Sequence, residues 1–180
     1  MNTPLIYQKD AQLDLTIDYY HASTLPPSLV DWTFQLTKKI FIIFTESGKK
    51  AELQAPEARY LVARSTQDTT DLKGFLMFQM VQEETMDDDY MAEVAYCYEL
   101  QLVEAARNQG LGEYLMGLLF QIGHHWKMEK VMLTVFKDNK GAMRFYTKKI
   151  GFKLDEISPG ACLSPRKARK FDYEILSKPC

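Results

Sequence analysis

Apolar and polar residues alternate with period two over residues 13–19 (Leu-Asp-Leu-Thr-Ile-Asp-Tyr), the spacing of a half-buried strand. Leu25-Pro26-Pro27 breaks that pattern. Ser28, with Asp31 three residues on, reads as a capping box that opens a helix. Leu29, Trp32, Leu36, Ile40, Ile43 and Phe44 then recur at helical spacing, so this helix is expected to bury a broad stripe. Thr45-Glu46-Ser47-Gly48 predicts its end, and a weaker helix is expected over residues 49–54, ahead of Pro56. Residues 60–63 and 72–78 are strand-like runs joined by the polar hairpin loop 65–71. An acidic loop at 83–89 precedes a strand over 93–102.

The second half of the chain has a different rhythm. A glycine-containing loop leads into a helix over 112–126 whose buried stripe is Leu115, Leu118, Leu119, Ile122 and Trp126. Val131-Met132-Leu133-Thr134-Val135-Phe136 is nearly continuous in apolar residues, as in a strand covered on both faces. A helix is expected over 140–150, ended by Gly151 in a left-handed conformation with Phe152 as its hydrophobic clasp. Residues 152–157 and 171–176 read as a terminal strand pair. Helices and strands mixed in this order predict an α/β (α+β) fold: one domain over 1–180, about seven strands in a mixed sheet, about four flanking helices. Residues 1–12 read as an N-terminal extension.

Composition changes this picture little. Of 180 residues, 46% are hydrophobic and 12% aromatic, enough for one substantial core and too much for a disordered chain. A formal net charge of -2 gives no general attraction to nucleic acid or anionic membrane. The three cysteines, Cys97, Cys162 and Cys180, are widely spaced with no C-x-x-C pair, which suits a reducing compartment. No basic stretch leads into an apolar run at the start, and no stretch approaches a membrane span, so a soluble internal protein is expected.

The chemistry concentrates in two segments. Arg107-Asn108-Gln109-Gly110-Leu111-Gly112 lies between a strand and an amphipathic helix. A helix start presents N–H groups and the positive end of the macrodipole, which attract phosphate. Glycines let an anion approach the backbone, and Arg107 adds a planar cation suited to phosphate oxygens. A P-loop would need Lys-Ser/Thr after Gly112, where Glu113 stands; a dinucleotide fingerprint would need glycine where Leu115 stands. An ordinary glycine-bearing connection is the competing reading. In the second segment, Asn139, Ala142 and Tyr146 share nearly one side of the predicted helix, with Phe145 beside them; a capped helix with an aromatic core stripe would look similar.

Together these segments resemble the coenzyme-binding half of the GNAT acetyltransferase superfamily, over residues 60–176. The resemblance implies a GNAT fold with a splayed sheet and acetyl-CoA as cosubstrate, without a metal. It implies pyrophosphate on the loop amides of Arg107, Asn108, Gln109, Gly110, Leu111, Gly112 and Glu113. The pantetheine arm would lie along Leu100, Gln101 and Leu102, and Asn139, Ala142, Phe145 and Tyr146 would complete the cofactor site. Tyr146 stands where many members hold a proton donor for the leaving thiolate.

Val30-Asp31-Trp32, Glu93-Val94-Ala95-Tyr96-Cys97-Tyr98-Glu99-Leu100-Gln101-Leu102, Lys130-Val131-Met132-Leu133-Thr134-Val135-Phe136-Lys137 and Tyr173-Glu174-Ile175-Leu176-Ser177 narrow the resemblance to the NatD family. Those are N-alpha-acetyltransferases of histone 4 and histone 2A. The resemblance implies histone N-terminal tails reading Ser-Gly-Arg-Gly as partners, a monomer in cytoplasm and nucleus, and the α-amine as acceptor. A free α-amine with pKa near 8 reaches its neutral form at pH 7 for about 1.4 kcal/mol, against about 4.6 for a lysine. A modest base acting through water therefore suffices. Glu99 is the candidate, with Tyr96 and Tyr98 ordering the amine or the water. A regular strand points Tyr98 and Glu99 to opposite faces, so either a bulge or different roles is expected. The resemblance further implies peptide contacts from Glu83, Thr134 and Tyr173, with Glu83, Glu84, Asp87, Asp88 and Asp89 available to an arginine. The tryptophan that the family carries ahead of the Tyr60 strand has no counterpart here.

Two further features stand outside that scheme. His124-His125 is adjacent on a helix and faces two ways, which suits a polar face rather than a metal pair. Arg166, Lys167, Arg169 and Lys170 form a basic patch, readable as a contact to ribosomal or nucleosomal phosphate or, more simply, as a solvated hairpin tip. Competing activities are a GNAT enzyme for lysine side chains or small amines, and a non-catalytic GNAT-fold binding module.

Overall fold

The computed structural model describes residues 5–9, 13–38 and 46–180. Eight strands form one mixed sheet in the order β1-β2-β3-β4-β5-β6-β8-β7. They are β1 (Leu5–Lys9), β2 (Leu13–His21), β3 (Arg59–Ser65), β4 (Leu72–Glu84), β5 (Met91–Leu102), β6 (Lys130–Phe136), β7 (Lys153–Leu154) and β8 (Tyr173–Pro179). The count exceeds the expected seven because the presumed N-terminal extension supplies β1, paired antiparallel to β2 from Leu5↔Ile17 to Lys9↔Leu13. The chain groups into two compact units interleaved in sequence, Met1–Gln79 with Glu99–Met116 and Met80–Tyr98 with Gly117–Cys180.

In the first unit, helix α1 (Pro27–Lys38) begins one residue before the predicted cap. Proline is pre-set for a first helical turn and has no N–H to leave unpaired, so Ser28 lies inside the helix instead of capping it. Of the predicted stripe, Leu36 is buried and Leu29 and Trp32 are half-buried, Phe34 is buried although it stood outside the stripe, and Ile40, Ile43 and Phe44 lie outside the described residues. The residues expected to end that helix instead open the next one, α2 (Glu46–Leu53). Glu46 there puts a carboxylate in the first turn, where the macrodipole favours it. Behind α2 the core is aromatic. Tyr60 is fully buried, donates its phenol to the carbonyl of Leu53, and lies 6.1 Å from Phe75, which Trp32 meets edge-on at 5.8 Å.

Gly74 on β4 sits hard against the end of β5. A Cβ there would come within 2.4 Å of Leu102 Cδ2 and 2.7 Å of the Gln101 carbonyl oxygen. Because one of those neighbours is backbone, Gly74→Ala is expected to lower stability by about 1–3 kcal/mol, as overpacking does. An unchanged midpoint in thermal unfolding would show that the end of β5 yields freely.

In the second unit, β5 and β6 run parallel from Val94↔Lys130 to Cys97↔Leu133. β6 pairs with β8 through Phe136↔Tyr173. The strand expected over 152–157 is only two residues long. Asp155 adds one more backbone bond to β8, its N–H donating to the Ile175 carbonyl at 2.9 Å, and its buried carboxylate holds Lys130 at 2.6 Å and accepts from the Ile157 amide at 3.2 Å as the chain turns away. Two short helices, α5 (Pro159–Cys162) and α6 (Pro165–Ala168), replace the predicted hairpin tip, numbered here after α3 (Leu111–His125) and α4 (Lys140–Arg144). Arg166, Lys167, Arg169 and Lys170 are exposed around α6. Leu115, Leu118 and Leu119 of α3 are buried, whereas Trp126 lies past the helix end, 60% exposed and edge-on to His125. The helix expected over 140–150 keeps α-geometry only to Arg144, and Phe145–Ile150 forms a π-turn. Among the described residues no helix is long and apolar enough to cross a membrane.

Candidate active site

The strand-to-helix loop has the backbone its sequence implied. Asn108 adopts φ 60° and Gly110 φ 85°, both left-handed, before α3 starts at Leu111. Asparagine and glycine are the residues that tolerate this region. Gly110 then closes the first helical bond, its carbonyl accepting from Tyr114 N at 2.9 Å. Two side chains brace the loop: Arg107 Nε donates to the Leu102 carbonyl at 3.2 Å, and Gln109 Nε2 to that of Ala105 at 2.7 Å. α3 thus starts directly after the left-handed Gly110, with Leu111 and Gly112 buried in its first turn, and a helix start of this kind can receive an anion.

Upstream of the loop, Glu99 is buried. It meets Lys49 Nζ at 2.5 Å and accepts from Gln101 Nε2 at 2.7 Å. The bond from 99 to 101 keeps the two-residue alternation of a regular strand, so Glu99 and Tyr98 have different faces and hence different roles. Gln101, expected on the coenzyme through its backbone, has its side chain committed to Glu99. Lys49 also pairs with Glu52. Burial disfavours the ammonium, but attraction and hydrogen bonds from Glu99 and Glu52 outweigh it and hold Lys49 above its ordinary value.

The second unit gathers most of the residues expected to touch a peptide. Tyr96 and Tyr98 have ring centroids 4.9 Å apart, and Tyr96 Oη lies 2.5 Å from Thr134 Oγ1. Burial pushes the Tyr96 phenol up to about 12, the Thr134 hydrogen bond opposing and the Glu83 charge adding. Tyr96 is therefore a protonated hydroxyl at neutral pH, able to donate and accept. Glu83 belongs to β4 rather than to the acidic loop, because the strand runs on to Glu84. Burial, Glu84 and Asp155 raise it, with Lys130 opposing. Tyr173 lies at the other end of the unit's strand pairing, opposite Phe136 and edge-on to Phe171 at 5.6 Å.

Asn139 caps α4, its Oδ1 accepting from Ala142 N at 3.1 Å, as the simpler reading of that segment foresaw. Tyr146 is buried beside Phe145 and Phe152 at 5.1 and 5.8 Å. The α-geometry that would put Asn139, Ala142 and Tyr146 on one side holds to Arg144, and Tyr146 lies in the π-turn that follows. Gly151 has φ 86° as expected. Sequence reasoning missed Lys49 and Glu52 entirely. A Lys-Lys pair in a polar helix carries no signal of a partner on a distant strand.

A cleft of about 650 Å³ opens in the second unit among Met86, Asp87, Tyr90, Glu129, Lys130 and Glu156. Three of those side chains are carboxylates, and its cation, Lys130, is held by Asp155. The neighbourhood therefore presents negative charge to whatever enters.

The sequence profile of the Acetyltransferase (GNAT) family matches residues 27–152. Among solved structures, NAA60 of Arabidopsis thaliana with a bisubstrate analogue superposes with TM-score 0.67 at 19% identity, over 91% of this chain and 98% of that one. The same protein in complex with acetyl-CoA gives 0.64 at 19% identity over 91% and 98%. Ard1 from Thermoplasma volcanium gives 0.59 at 17% identity over 91% and 97%. At such identities the likeness is one of fold.

Proposed function

The chain belongs to the GNAT acetyltransferase family, and from that premise we propose that it acetylates protein α-amino termini, with histone tails reading Ser-Gly-Arg-Gly as substrate. Acetyl-CoA is the donor. Its pyrophosphate is held at residues 107–112, where the left-handed Gly110 leads directly into a helix start. The observation that carries the acceptor assignment is the Tyr96 hydroxyl bonded to Thr134, with the Tyr98 ring packed beside it and the negative charge of Glu83 nearby. Such a cluster binds a small N-terminal serine and its amine by hydrogen bonds. The carboxylates of the adjoining cleft suit an arginine that follows it.

In the reaction the neutral amine attacks the thioester carbonyl. A C–N bond forms, the C–S bond breaks, and the proton passes through water to Glu99. Backbone N–H groups near residues 100–102 stabilise the oxyanion, and Tyr146 returns a proton to the departing thiolate. A monomer working in cytoplasm and nucleus completes the proposal.

The test offers acetyl-CoA with a Ser-Gly-Arg-Gly-Lys peptide and with the same peptide blocked at its amino terminus. Product from the free peptide alone is expected. Equal product from the blocked peptide would reassign the acceptor to lysine.

A further inference from the structure

Glu52, Lys49 and Glu99 form a charged chain running inward from α2 to β5. The Glu52 side chain is 28% exposed, Lys49 7% and Glu99 9%. One cation between two carboxylates leaves this buried row with a net negative charge. Gln101 donates to the second oxygen of Glu99 at 2.7 Å, so Lys49 on Oε1 and Gln101 on Oε2 fix the carboxylate from two sides. The Tyr60 phenol lies in the same field, raised above its ordinary range by burial and by the charges of Glu52 and Glu99. Its hydrogen bond goes to the Leu53 carbonyl at the end of α2, which ties the helix carrying Lys49 to β3.

We propose that Lys49 is a positioning residue for acetyl transfer, holding the Glu99 carboxylate in the orientation from which it can take a proton through water. This rests on the reading of Glu99 as the base. A salt bridge kept only for stability would be an odd choice here, because a buried ion pair offsets its own desolvation poorly and apolar residues often serve as well. The arrangement has a chemical use instead. Lys49 on one oxygen and Gln101 on the other hold the carboxylate in one orientation, and removing Lys49 releases one of those two holds.

The experiment compares steady-state rates against pH for the wild type, Lys49→Gln, Lys49→Met and Glu99→Gln, with folding checked by thermal unfolding. Lys49→Gln keeps a donor for Glu99 and removes the charge; it supplies the measurement if Lys49→Met does not fold. The expected result is a kcat about 10-fold lower for Lys49→Gln at each pH from 7 to 9, as displacement of a positioned base requires. The KM for acetyl-CoA stays within about 2-fold, since the coenzyme loop is untouched. Lys49→Gln with wild-type kcat across the pH range, beside a Glu99→Gln enzyme that is strongly impaired, would overturn the positioning role alone. Full activity in Glu99→Gln would overturn the base assignment and the role of Lys49 with it.

Discussion

Glu99→Gln is expected to lower kcat about 100-fold while the Kd for CoA stays within about 2-fold, the signature of losing a general base. The loss lies at the low end of that range because about one α-amine in ten is already neutral at pH 7. Glutamine keeps the shape and one acceptor oxygen for Lys49, and the Gln101 amide can turn over to accept from the new NH2, so the helix-to-strand frame survives. Thermal unfolding separates the two contributions: Lys49 loses one of its two carboxylates, and a lower midpoint is expected with turnover still measurable in the folded fraction. Turnover equal to wild type would remove Glu99 from the mechanism.

Gly110→Val is expected to raise the Kd for acetyl-CoA about 10-fold or more, equivalent to about 1.4 kcal/mol, measured by titration calorimetry. The backbone at this position has φ 85°, where a β-branched side chain is strained by about 1–3 kcal/mol. Relief of that strain rotates the turn that leads into α3. kcat at saturating coenzyme is expected to fall much less, because the tyrosines, Thr134 and Glu99 are elsewhere. Unchanged affinity would mean that the diphosphate is held by some other part of the chain.

How far the sequence foretold these features depended on whether the signal was local. The left-handed Gly151, the burial of Leu115, Leu118 and Leu119 on α3 and the strand Lys130–Phe136 all follow from neighbours within a few residues, and the structure has them, whereas Trp126 of the same predicted stripe is exposed. The helix boundaries near Pro27 and Glu46 were misread because proline geometry and a first-turn carboxylate outweigh the serine and glycine punctuation. The shortened strand after Gly151 reflects a tertiary choice. After Asp155 the chain turns, with its carboxylate bound to Lys130 and to the Ile157 amide, partners that periodicity does not register. The same limit applies to the candidate site. Tyr96, Tyr98 and Glu99 stood out as a run, and strand alternation gave them their separate faces. That Glu99 is gripped by Lys49 and Gln101 required the fold, since one of these partners lies on a helix whose own sequence is merely polar.

The π-turn at Phe145–Ile150 makes Tyr146 an unusually clean place to probe a single oxygen atom. Its carbonyl accepts from the amides of both Gly151 and Phe152, each at 3.0 Å, so the main chain is fastened there twice without any help from the side chain. Its ring packs against Phe145 and Phe152. Replacing this tyrosine by phenylalanine therefore subtracts the hydroxyl while these ring and main-chain contacts stay, and a drop in kcat with an unchanged unfolding midpoint would be assigned to the missing O–H.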